Sequence, residues 1–247
     1  MTPTPISAGD TSFRARSADD HRCRSPGGGK SSHFPIKNVG VDWFNSDDRA
    51  AQLNAGSYQN IPPHVRSSSG QQLQQFIDSH IEARRSFAFE NALRTDTGFQ
   101  QIRRAKEMGF SVLMDYISAG PVEEHIRRVM NRATLGGHSA SERKLRDIYE
   151  HSMKNLVTAF EENRHQRIDL LRIFDNSENF GRTHLVLSMF RGVPRNMAAE
   201  VPAWLETALA RSSFKIGNLR GAMRAVDWAA EYQLANLQKR TPGPVAL

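Results

Sequence analysis

Short apolar runs alternate along this chain with longer stretches whose apolar residues recur at helical spacing. The runs lie at 39–44, 87–90, 110–117, 168–174 and 183–190, and we expect each to form a strand. The run at 110–117 is apolar almost throughout, which is typical of a strand covered on both faces of a parallel sheet.

The stretches with helical spacing lie mostly between these runs. We expect helices over 71–84, 97–108, 121–132, 141–163 and 219–237. Strands that alternate with helices predict βαβ units, and therefore an α/β fold with a mostly parallel, doubly wound sheet flanked by helices. In such sheets ligands bind beyond the carboxyl ends of the strands, so residues at those ends are the first candidates for chemistry.

Composition changes along the chain and divides it into three regions. Residues 1–37 are rich in Thr, Pro, Ser, Gly, Asp and Arg, so we expect a poorly ordered leader. Residues 38–212 hold the strand and helix pattern, with a loop expected over 54–70. Residues 213–247 are expected to form a helical tail.

Charge and cysteine content narrow the class of protein. The chain has 33 Lys and Arg against 26 Asp and Glu among 247 residues, and this net charge of +7 favours anionic ligands. The single cysteine, Cys23, excludes a disulfide scaffold and makes the cytoplasm the expected compartment. No stretch approaches the ~18 consecutive apolar residues of a membrane span, so we expect no membrane partner. The basic residues are scattered, which argues against a nucleic-acid partner.

The segment at 25–32 reads SPGGGKSS and is similar to the end of a phosphate-binding loop. In such a loop, glycines let backbone N–H groups approach phosphates, the lysine reaches the outer phosphate oxygens, and the serine hydroxyl holds Mg²⁺. The candidate nucleotide and magnesium residues are therefore Gly27, Gly28, Gly29, Lys30 and Ser31. The alternative is a Gly/Ser-rich linker, because Arg24 stands where the first glycine of the motif belongs.

Two carboxylates lie at the ends of predicted strands. Asp47 follows the run at 39–44, where it could accept a proton from a substrate hydroxyl, or alternatively cap the helix that begins there. Glu90 ends the run at 87–90, and a carboxylate buried there is costly unless it is paired or used. Either a substrate role or a structural pair with Arg94 meets that condition.

A pair of arginines and one asparagine complete the candidate site. Arg128 and Arg132 are four residues apart and share one helical face, and two such guanidiniums repel each other unless an anion lies between them. They therefore indicate a phosphate site, with a solvated basic face as the alternative. Asn176 follows the strand at 168–174, where it could line a pocket for a nucleotide base or belong to a turn.

In their order along the chain, several short motifs resemble the zeta-toxin-like P-loop kinases, from Gly27 to Ala208. These motifs are FNSD at 44–47, FAFENAL at 87–93, Arg128 with Arg132, GGH at 136–138, Ser152 with Asn155 and Leu156, and FDNS at 174–177. The resemblance implies a P-loop kinase-like fold and assigns residues 38–212 to the kinase domain.

The resemblance also implies an activity. Zeta toxins transfer the γ-phosphate of ATP or GTP to a hydroxyl, and UDP-N-acetylglucosamine is the substrate of characterised members. Lys30 and Ser31 would bind phosphates and Mg²⁺, and Asp47 would be the base or orienting carboxylate for the acceptor. The remaining roles would be substrate binding by Glu90, Arg94 and Thr95, stabilisation of the transferring phosphoryl group by Arg128 and Arg132, and nucleotide binding by Asn176. A protein antitoxin is the partner that the family implies.

One departure from the family supports an alternative function. The family's phosphate loop follows an apolar strand, and no such strand precedes Gly27, so we expect the first strand to be missing or degenerate. The alternative is therefore a catalytically impaired relative that acts as a binding or interaction protein.

Overall fold

The computed structural model describes residues 4–5, 40–134, 140–177, 183–224 and 245–246. Its strands are β1 (Thr4–Pro5), β2 (Asp42–Asn45), β3 (Phe87–Glu90), β4 (Ser111–Ser118), β5 (Leu170–Asp175), β6 (His184–Phe190), β7 (Val193–Met197) and β8 (Val245–Ala246). Its helices are α1 (Ser46–Leu53), α2 (Pro63–Glu82), α3 (Thr97–Glu107), α4 (Val122–Ala133), α5 (Glu142–Arg164), α6 (Ala203–Ala210) and α7 (Ile216–Arg224). Strands and helices alternate from β2 to β5, which confirms the predicted α/β class.

The strands form one large and one small sheet. The larger sheet has the order β1-β8-β4-β5-β6-β7, in which β4 and β5 are parallel and β6 and β7 are antiparallel additions. β8 pairs with β4 only at Ser111 and Val112. β2 and β3 form a separate parallel pair, and the described residues contain no pairing between β3 and β4. Within each parallel pair, the carboxyl ends of the strands and the connections that follow them lie at one edge.

One apolar core joins the sheets to the helices. Met114 and Tyr116 lie two residues apart on one face of β4, and they belong to the same buried cluster as Leu156 and Phe160 of α5. The Tyr116 hydroxyl lies 3.1 Å from Ser152 Oγ, so the buried phenol also has a polar partner on α5. Helix α5 is therefore anchored to the centre of the sheet by both apolar and polar contacts.

Helix α2 begins earlier than the sequence pattern predicts. The loop expected over 54–70 is wrong at its end, because the helix starts at Pro63. Pro62 has extended backbone and Pro63 occupies the first helical turn, where no N–H donor is needed. Ser69 Oγ donates to the Ser46 carbonyl oxygen at 2.8 Å, so the serine-rich turn is tied to the start of α1.

The last described elements were only partly expected. Strand β7 and helix α6 are absent from the predictions, and helix α7 begins before the predicted start of the tail helix at residue 219. Among the described helices, none combines the length and apolar character that would let it cross a membrane.

Candidate active site

Asn45 links the ends of β2 and β3, where the candidate site begins. It lies opposite Glu90 in the parallel pairing, and Asn45 Nδ2 donates to Glu90 Oε2 at 2.7 Å. Asn45 Oδ1 accepts from the backbone N–H groups of Asp47 and Asp48, at 2.9 and 3.1 Å, and so caps α1. One side chain therefore holds both the buried Glu90 carboxylate and the start of α1 at the same sheet edge.

Asp47 lies in the first turn of α1, and its side chain is exposed. The alternative in which Asp47 caps the helix is wrong, because Asn45 takes that position. No described residue donates a hydrogen bond to the Asp47 carboxylate or forms an ion pair with it. The amino end of α1 favours its negative charge. Asp47 is therefore an accessible carboxylate at the carboxyl end of β2. A general base must be accessible in this way, because it has to reach the proton that it accepts.

Tyr58 binds the neighbouring carboxylate, Asp48. The Tyr58 hydroxyl donates to Asp48 Oδ1 at 2.9 Å. Burial, the hydrogen bond to Asp48 and the negative charges of Asp48 and Asp47 raise the pKa of Tyr58 to about 12. The phenol therefore keeps its proton at neutral pH and continues to hold Asp48. Sequence reasoning missed Tyr58, because the contact depends on the path of the loop and not on any local pattern.

The loop after α1 reaches the arginine-bearing helix α4. Asn54 Nδ2 donates to the carbonyl oxygens of Ser57 and Gln59, at 2.9 and 3.0 Å, which closes the loop on itself. Gln59 Nε2 then donates to the carbonyl oxygen of Ala133, the last residue of α4, at 3.4 Å. Because α1 follows β2 and α4 follows β4, this contact joins the connection after β2 to the connection after β4.

Arg128 of α4 already has a carboxylate partner. Its Nε donates to Glu124 Oε1, and Arg127 binds the same carboxylate through Nε and Nη2 at 2.8 and 2.7 Å. The hydrogen bond from Arg127 and the one from Arg128 hold the pKa of Glu124 below its ordinary value. The spacing of Arg128 and Arg132 predicts that a bound anion balances their charge. Glu124 already balances the charge of Arg128, so Arg128 does not need an anion for that purpose. The Arg132 side chain lies outside the described residues.

The loop between β3 and α3 carries the other predicted substrate residues. Arg94 and Thr95 are both exposed, and Thr95 Oγ1 donates to Thr97 Oγ1 at 3.3 Å. Arg94 makes no ion pair with a described residue, so the alternative of a structural Glu90–Arg94 pair is wrong. Arg94 follows the end of β3 by four residues, and its exposed side chain can bind an anionic group.

Leu93, at the centre of this loop, has a left-handed backbone. Its φ is 47° although it is a buried leucine, a conformation that costs about 1–3 kcal/mol. Leu93 N donates to Asn91 Oδ1 at 3.0 Å, and the Leu93 carbonyl accepts from Asn155 Nδ2 at 2.8 Å. Two asparagine side chains, one of them from α5, therefore hold the conformation.

His125 and Tyr149 hold the turn between β4 and α4. His125 is buried, and its Nε2 accepts from the backbone N–H of Ala119 at 2.9 Å. The Tyr149 hydroxyl donates to the Gly120 carbonyl at 3.1 Å, and burial followed by the charge of Glu123 raises the pKa of Tyr149. The two rings pack edge to face with centroids 5.1 Å apart. Sequence reasoning missed both residues, because neither one lies at a strand end.

Asn176 lies at the carboxyl end of β5 and is buried. Its backbone N–H donates to the Ser118 carbonyl at 2.8 Å, and its Oδ1 accepts from Thr183 Oγ1 at 2.9 Å. Asn176 thus ties the end of β5 to the end of β4 and to the residue that precedes β6. Its predicted contact with a nucleotide stays a prediction.

The candidate phosphate loop, with Gly27, Gly28, Gly29, Lys30 and Ser31, lies outside the described residues. Its role stays a prediction. Within the described part, Arg128 is a group that suits a phosphate, because its Nη groups make no hydrogen bond to a described residue.

Comparison with known families identifies the chain. The family model described as zeta toxin matches residues 25–181, which is more than half of the chain. The chain belongs to the zeta toxin family. The match begins at the glycine-rich segment and extends beyond Asn176, so it includes every predicted site residue of the zeta toxin family resemblance. Membership in this family supports a kinase-like phosphotransferase.

Solved structures share the fold of this zeta toxin family member. A chain of the AvrRxo1-ORF1:AvrRxo1-ORF2 complex with sulphate ions has a TM-score of 0.57 at 14% identity, over 99% of this chain and 78% of that one. A chain of the AvrRxo1-ORF1:-ORF2 complex with ATP has a TM-score of 0.55 at 15% identity, over 87% of this chain and 65% of that one. An uncharacterized protein from Haemophilus influenzae is 30% identical over 121 residues, 49% of this chain and 84% of that protein.

Proposed function

We propose that this protein transfers the γ-phosphate of ATP or GTP to a hydroxyl of a small substrate, with UDP-N-acetylglucosamine or a similar nucleotide sugar as the acceptor. The observation that carries the proposal is the Asp47 carboxylate, which is exposed at the edge where β2 and β3 end. Asn45 caps α1, so Asp47 is available for chemistry. Family membership supplies the phosphoryl transfer to which such a carboxylate is suited.

The acceptor side of the proposed site consists of Asp47, Glu90, Arg94 and Thr95. Asp47 accepts the proton of the acceptor hydroxyl, or orients that hydroxyl, as the bond to phosphorus forms. Arg94 and Thr95 bind the remainder of the acceptor. Phosphoryl transfer depends mainly on positioning and on stabilisation of negative charge, so a few fixed side chains suffice.

The nucleotide side depends on residues outside the described part of the chain. Lys30 and Ser31 would hold the nucleotide phosphates and Mg²⁺, and Asn176 would lie near the base. A bound magnesium nucleotide supplies the phosphoryl group and offsets part of its charge. Arg128, with Arg132, would meet the negative charge of the transferring group through the Nη groups that Glu124 leaves available. We place the kinase domain at 38–212 and the protein in the cytoplasm.

Asp47→Asn tests the proposal, and Asp48→Asn is its matched control. Both aspartates lie in the first turn of α1, but Asp48 is held by Tyr58. We expect Asp47→Asn to lower kcat for transfer of labelled phosphate from ATP to UDP-N-acetylglucosamine by about 100-fold or more, since general-base catalysis is lost. We expect Asp48→Asn to retain activity, because the amide oxygen still accepts from Tyr58. Unfolding by urea should be similar for both variants.

Two results would contradict the kinase proposal. One is a wild-type protein that transfers no phosphate to UDP-N-acetylglucosamine or other hydroxyl acceptors in ATP and Mg²⁺. The other is equal activity of Asp47→Asn and wild type. Lys30→Ala should abolish the rise in melting temperature that ATP and Mg²⁺ give to the wild type.

The alternative is a binding protein with the same fold. The neighbouring chains with this fold were solved as complexes of AvrRxo1-ORF1 with AvrRxo1-ORF2, which favours a protein partner of the antitoxin kind. This alternative predicts an intact fold, no shift of the melting temperature with ATP and Mg²⁺, and a complex with a separately encoded partner on size-exclusion chromatography.

A further inference from the structure

We propose that Asn155 of α5 is a positioning residue for the acceptor substrate, and that it acts by holding the β3–α3 loop that presents Arg94 and Thr95. The inference rests on the proposed function. It gives a role to a helix residue whose contact lies 62 positions earlier in the chain.

The hydrogen bond from Asn155 acts on a peptide unit next to Arg94. Asn155 Nδ2 donates to the Leu93 carbonyl oxygen at 2.8 Å. That carbonyl belongs to the planar peptide group whose nitrogen is the backbone nitrogen of Arg94. Fixing the carbonyl therefore fixes the orientation of the whole peptide plane, and with it the direction in which the chain enters Arg94.

The loop needs such a constraint because its backbone is strained. Leu93 has a φ of 47°, which a leucine adopts only when its surroundings enforce it. Asn91 Oδ1 accepts from Leu93 N at 3.0 Å, so the second polar group of the same residue is also held by an asparagine. Without the bond from Asn155, the loop can relax toward a right-handed backbone and redirect Arg94.

Asn155 can impose this constraint because α5 is a rigid support. Leu156, the next residue, is fully buried, and Ser152, one turn earlier, lies 3.1 Å from the Tyr116 hydroxyl in the core. A donor on a packed helix holds a loop more firmly than a donor on another loop does. The position of Asn155 is therefore set by the core and not by the substrate.

The chemistry of the presented residues indicates the class of acceptor. Arg94 is an exposed cation that makes no ion pair with a described residue, and Thr95, the next residue in the chain, carries a hydroxyl. A guanidinium is suited to phosphate oxygens, and a hydroxyl can add a hydrogen bond to them. The structure thus favours an acceptor that carries a phosphate or diphosphate apart from the hydroxyl that reacts.

Asn163 offers a matched control on the same helix. Asn163 Nδ2 also donates to backbone carbonyls, those of Ile168 at 2.9 Å and Met189 at 3.3 Å. These carbonyls lie before β5 and at the end of antiparallel β6, at the opposite end of the sheet from the candidate site. Asn163 Oδ1 also accepts from Gly192 N at 2.9 Å, so loss of Asn163 removes more hydrogen bonds than loss of Asn155, without touching the β3–α3 loop.

The experiment compares Asn155→Ala and Asn155→Asp with Asn163→Ala, which lies on the same helix. Asn155→Asp keeps the size of the side chain but removes the donor. With UDP-N-acetylglucosamine as the acceptor, we expect both Asn155 variants to raise its KM by about tenfold, the effect of one lost hydrogen bond. The KM for ATP and kcat should stay near the wild-type values. The Asn163→Ala control should leave the acceptor KM unchanged.

Hydrogen exchange supplies a readout that does not depend on catalysis. Amide exchange in the loop 91–96 should accelerate in both Asn155 variants and stay at the wild-type rate in Asn163→Ala. An active wild type whose acceptor KM or loop exchange is unchanged by Asn155→Ala would overturn this inference alone, as would an equal rise in the acceptor KM in Asn163→Ala. A wild type that transfers no phosphate overturns the proposed function and this inference with it.

Discussion

Asn45 and Glu90 join the first two parallel strands through their side chains, because Asn45 Nδ2 donates to Glu90 Oε2 at 2.7 Å across the ends of β2 and β3. The other amide atom of Asn45 caps α1. The asparagine thereby joins the buried Glu90 carboxylate to the helical turn that carries Asp47. An aspartate at position 45 would serve equally well as a cap, so the helix alone does not require an asparagine here.

Asn45→Asp should lower the free energy of unfolding by about 1–3 kcal/mol, the range for a buried carboxylate that loses a hydrogen-bond donor. The cap is retained, so the loss reports the bond to Glu90 and the repulsion between two carboxylates. Urea unfolding at pH 7 measures it. The additional substitution Glu90→Gln should restore most of the loss, since the amide introduced at position 90 can donate to the carboxylate introduced at position 45. A double variant as unstable as Asn45→Asp would contradict this interpretation.

Arg128→Ala and Arg127→Ala separate a catalytic role from a structural one. Both arginines bind Glu124, but Arg128 is mostly buried whereas Arg127 is largely exposed. We expect Arg128→Ala to lower kcat by about 100-fold or more, as the loss of a donor to developing charge does, while Arg127→Ala retains activity. Steady-state kinetics with ATP and UDP-N-acetylglucosamine provide the measurement. Equal losses of kcat in the two variants would contradict a catalytic role that belongs to Arg128 alone.

The pH dependence of stability should reveal the Glu124 cluster. Hydrogen bonds from Arg127 and Arg128 hold the pKa of Glu124 below its ordinary value of 4.5. A carboxyl whose pKa is lowered by folding stabilises the native state above its unfolded pKa, and this contribution is lost as pH falls through the lowered value. Wild type should therefore be more stable than Glu124→Gln at pH 7, and the difference should shrink below about pH 4.5.

Urea unfolding of both proteins across this pH range gives the difference directly. Glu107→Gln is the control, because Glu107 is exposed at the end of α3 and makes no ion pair with a described residue. The corresponding difference for Glu107→Gln should stay small at every pH. If the Glu124 difference does not change with pH, the charge of Glu124 does not stabilise the fold.

Gly120→Ala should destabilise the protein more than Gly109→Ala. Both glycines have positive φ, +89° and +85°, so each alanine is strained in the same way. A Cβ at Gly120 would also lie 2.8 Å from Ser177 Cβ, whereas a Cβ at Gly109 meets nothing within 4 Å. We expect an additional loss of about 1–3 kcal/mol for Gly120→Ala, the range for overpacking.

Adding Ser177→Gly to Gly120→Ala removes the close contact but also the hydrogen bond from Ser177 Oγ to Asp175 Oδ2 at 2.7 Å, so Ser177→Gly alone is the reference. Measured against that reference, we expect the loss caused by Gly120→Ala to come near that of Gly109→Ala. Thermal or urea unfolding compares the variants. Equal effects of the two alanine substitutions would show that the turns after β4 and β5 are not closely packed against each other.

The sequence patterns predicted strands and helices correctly where the spacing of apolar residues matched the face that the fold buries. The strand at 87–90 matches its predicted bounds, and the helix predicted over 97–108 ends within one residue of α3. The apolar residues of α3 recur on one face, and that face packs into the core, so the pattern and the fold have the same physical cause. The start of α2 was missed, because its proline and serines are typical of loops and become helical only through contacts such as Ser69 with Ser46.

The candidate site residues also divide into those that the sequence could predict and those that it could not. Asp47, Glu90 and Asn176 were predictable because parallel strands place the residues that follow them at one edge. The partners of Glu90 and Arg128 were not predictable from the sequence. Several donors lie near each carboxylate, and the side-chain geometry of the fold determines which of them binds it. Asn155 is the clearest case, since its contact joins a helix to a loop 62 residues earlier.

The sequence by itself determined the zeta toxin family, the α/β class and the strand ends at which the candidate site lies, because these depend on periodicity and on short motifs in a fixed order. Only the tertiary structure decided that Asn45 and not Asp47 caps α1, and that Glu124 binds Arg128. It also decided that α5 holds Leu93 in a left-handed conformation. Such contacts arise between segments far apart in the chain, where the free energy of a hydrogen bond depends on the position of both partners and not on the identity of either one.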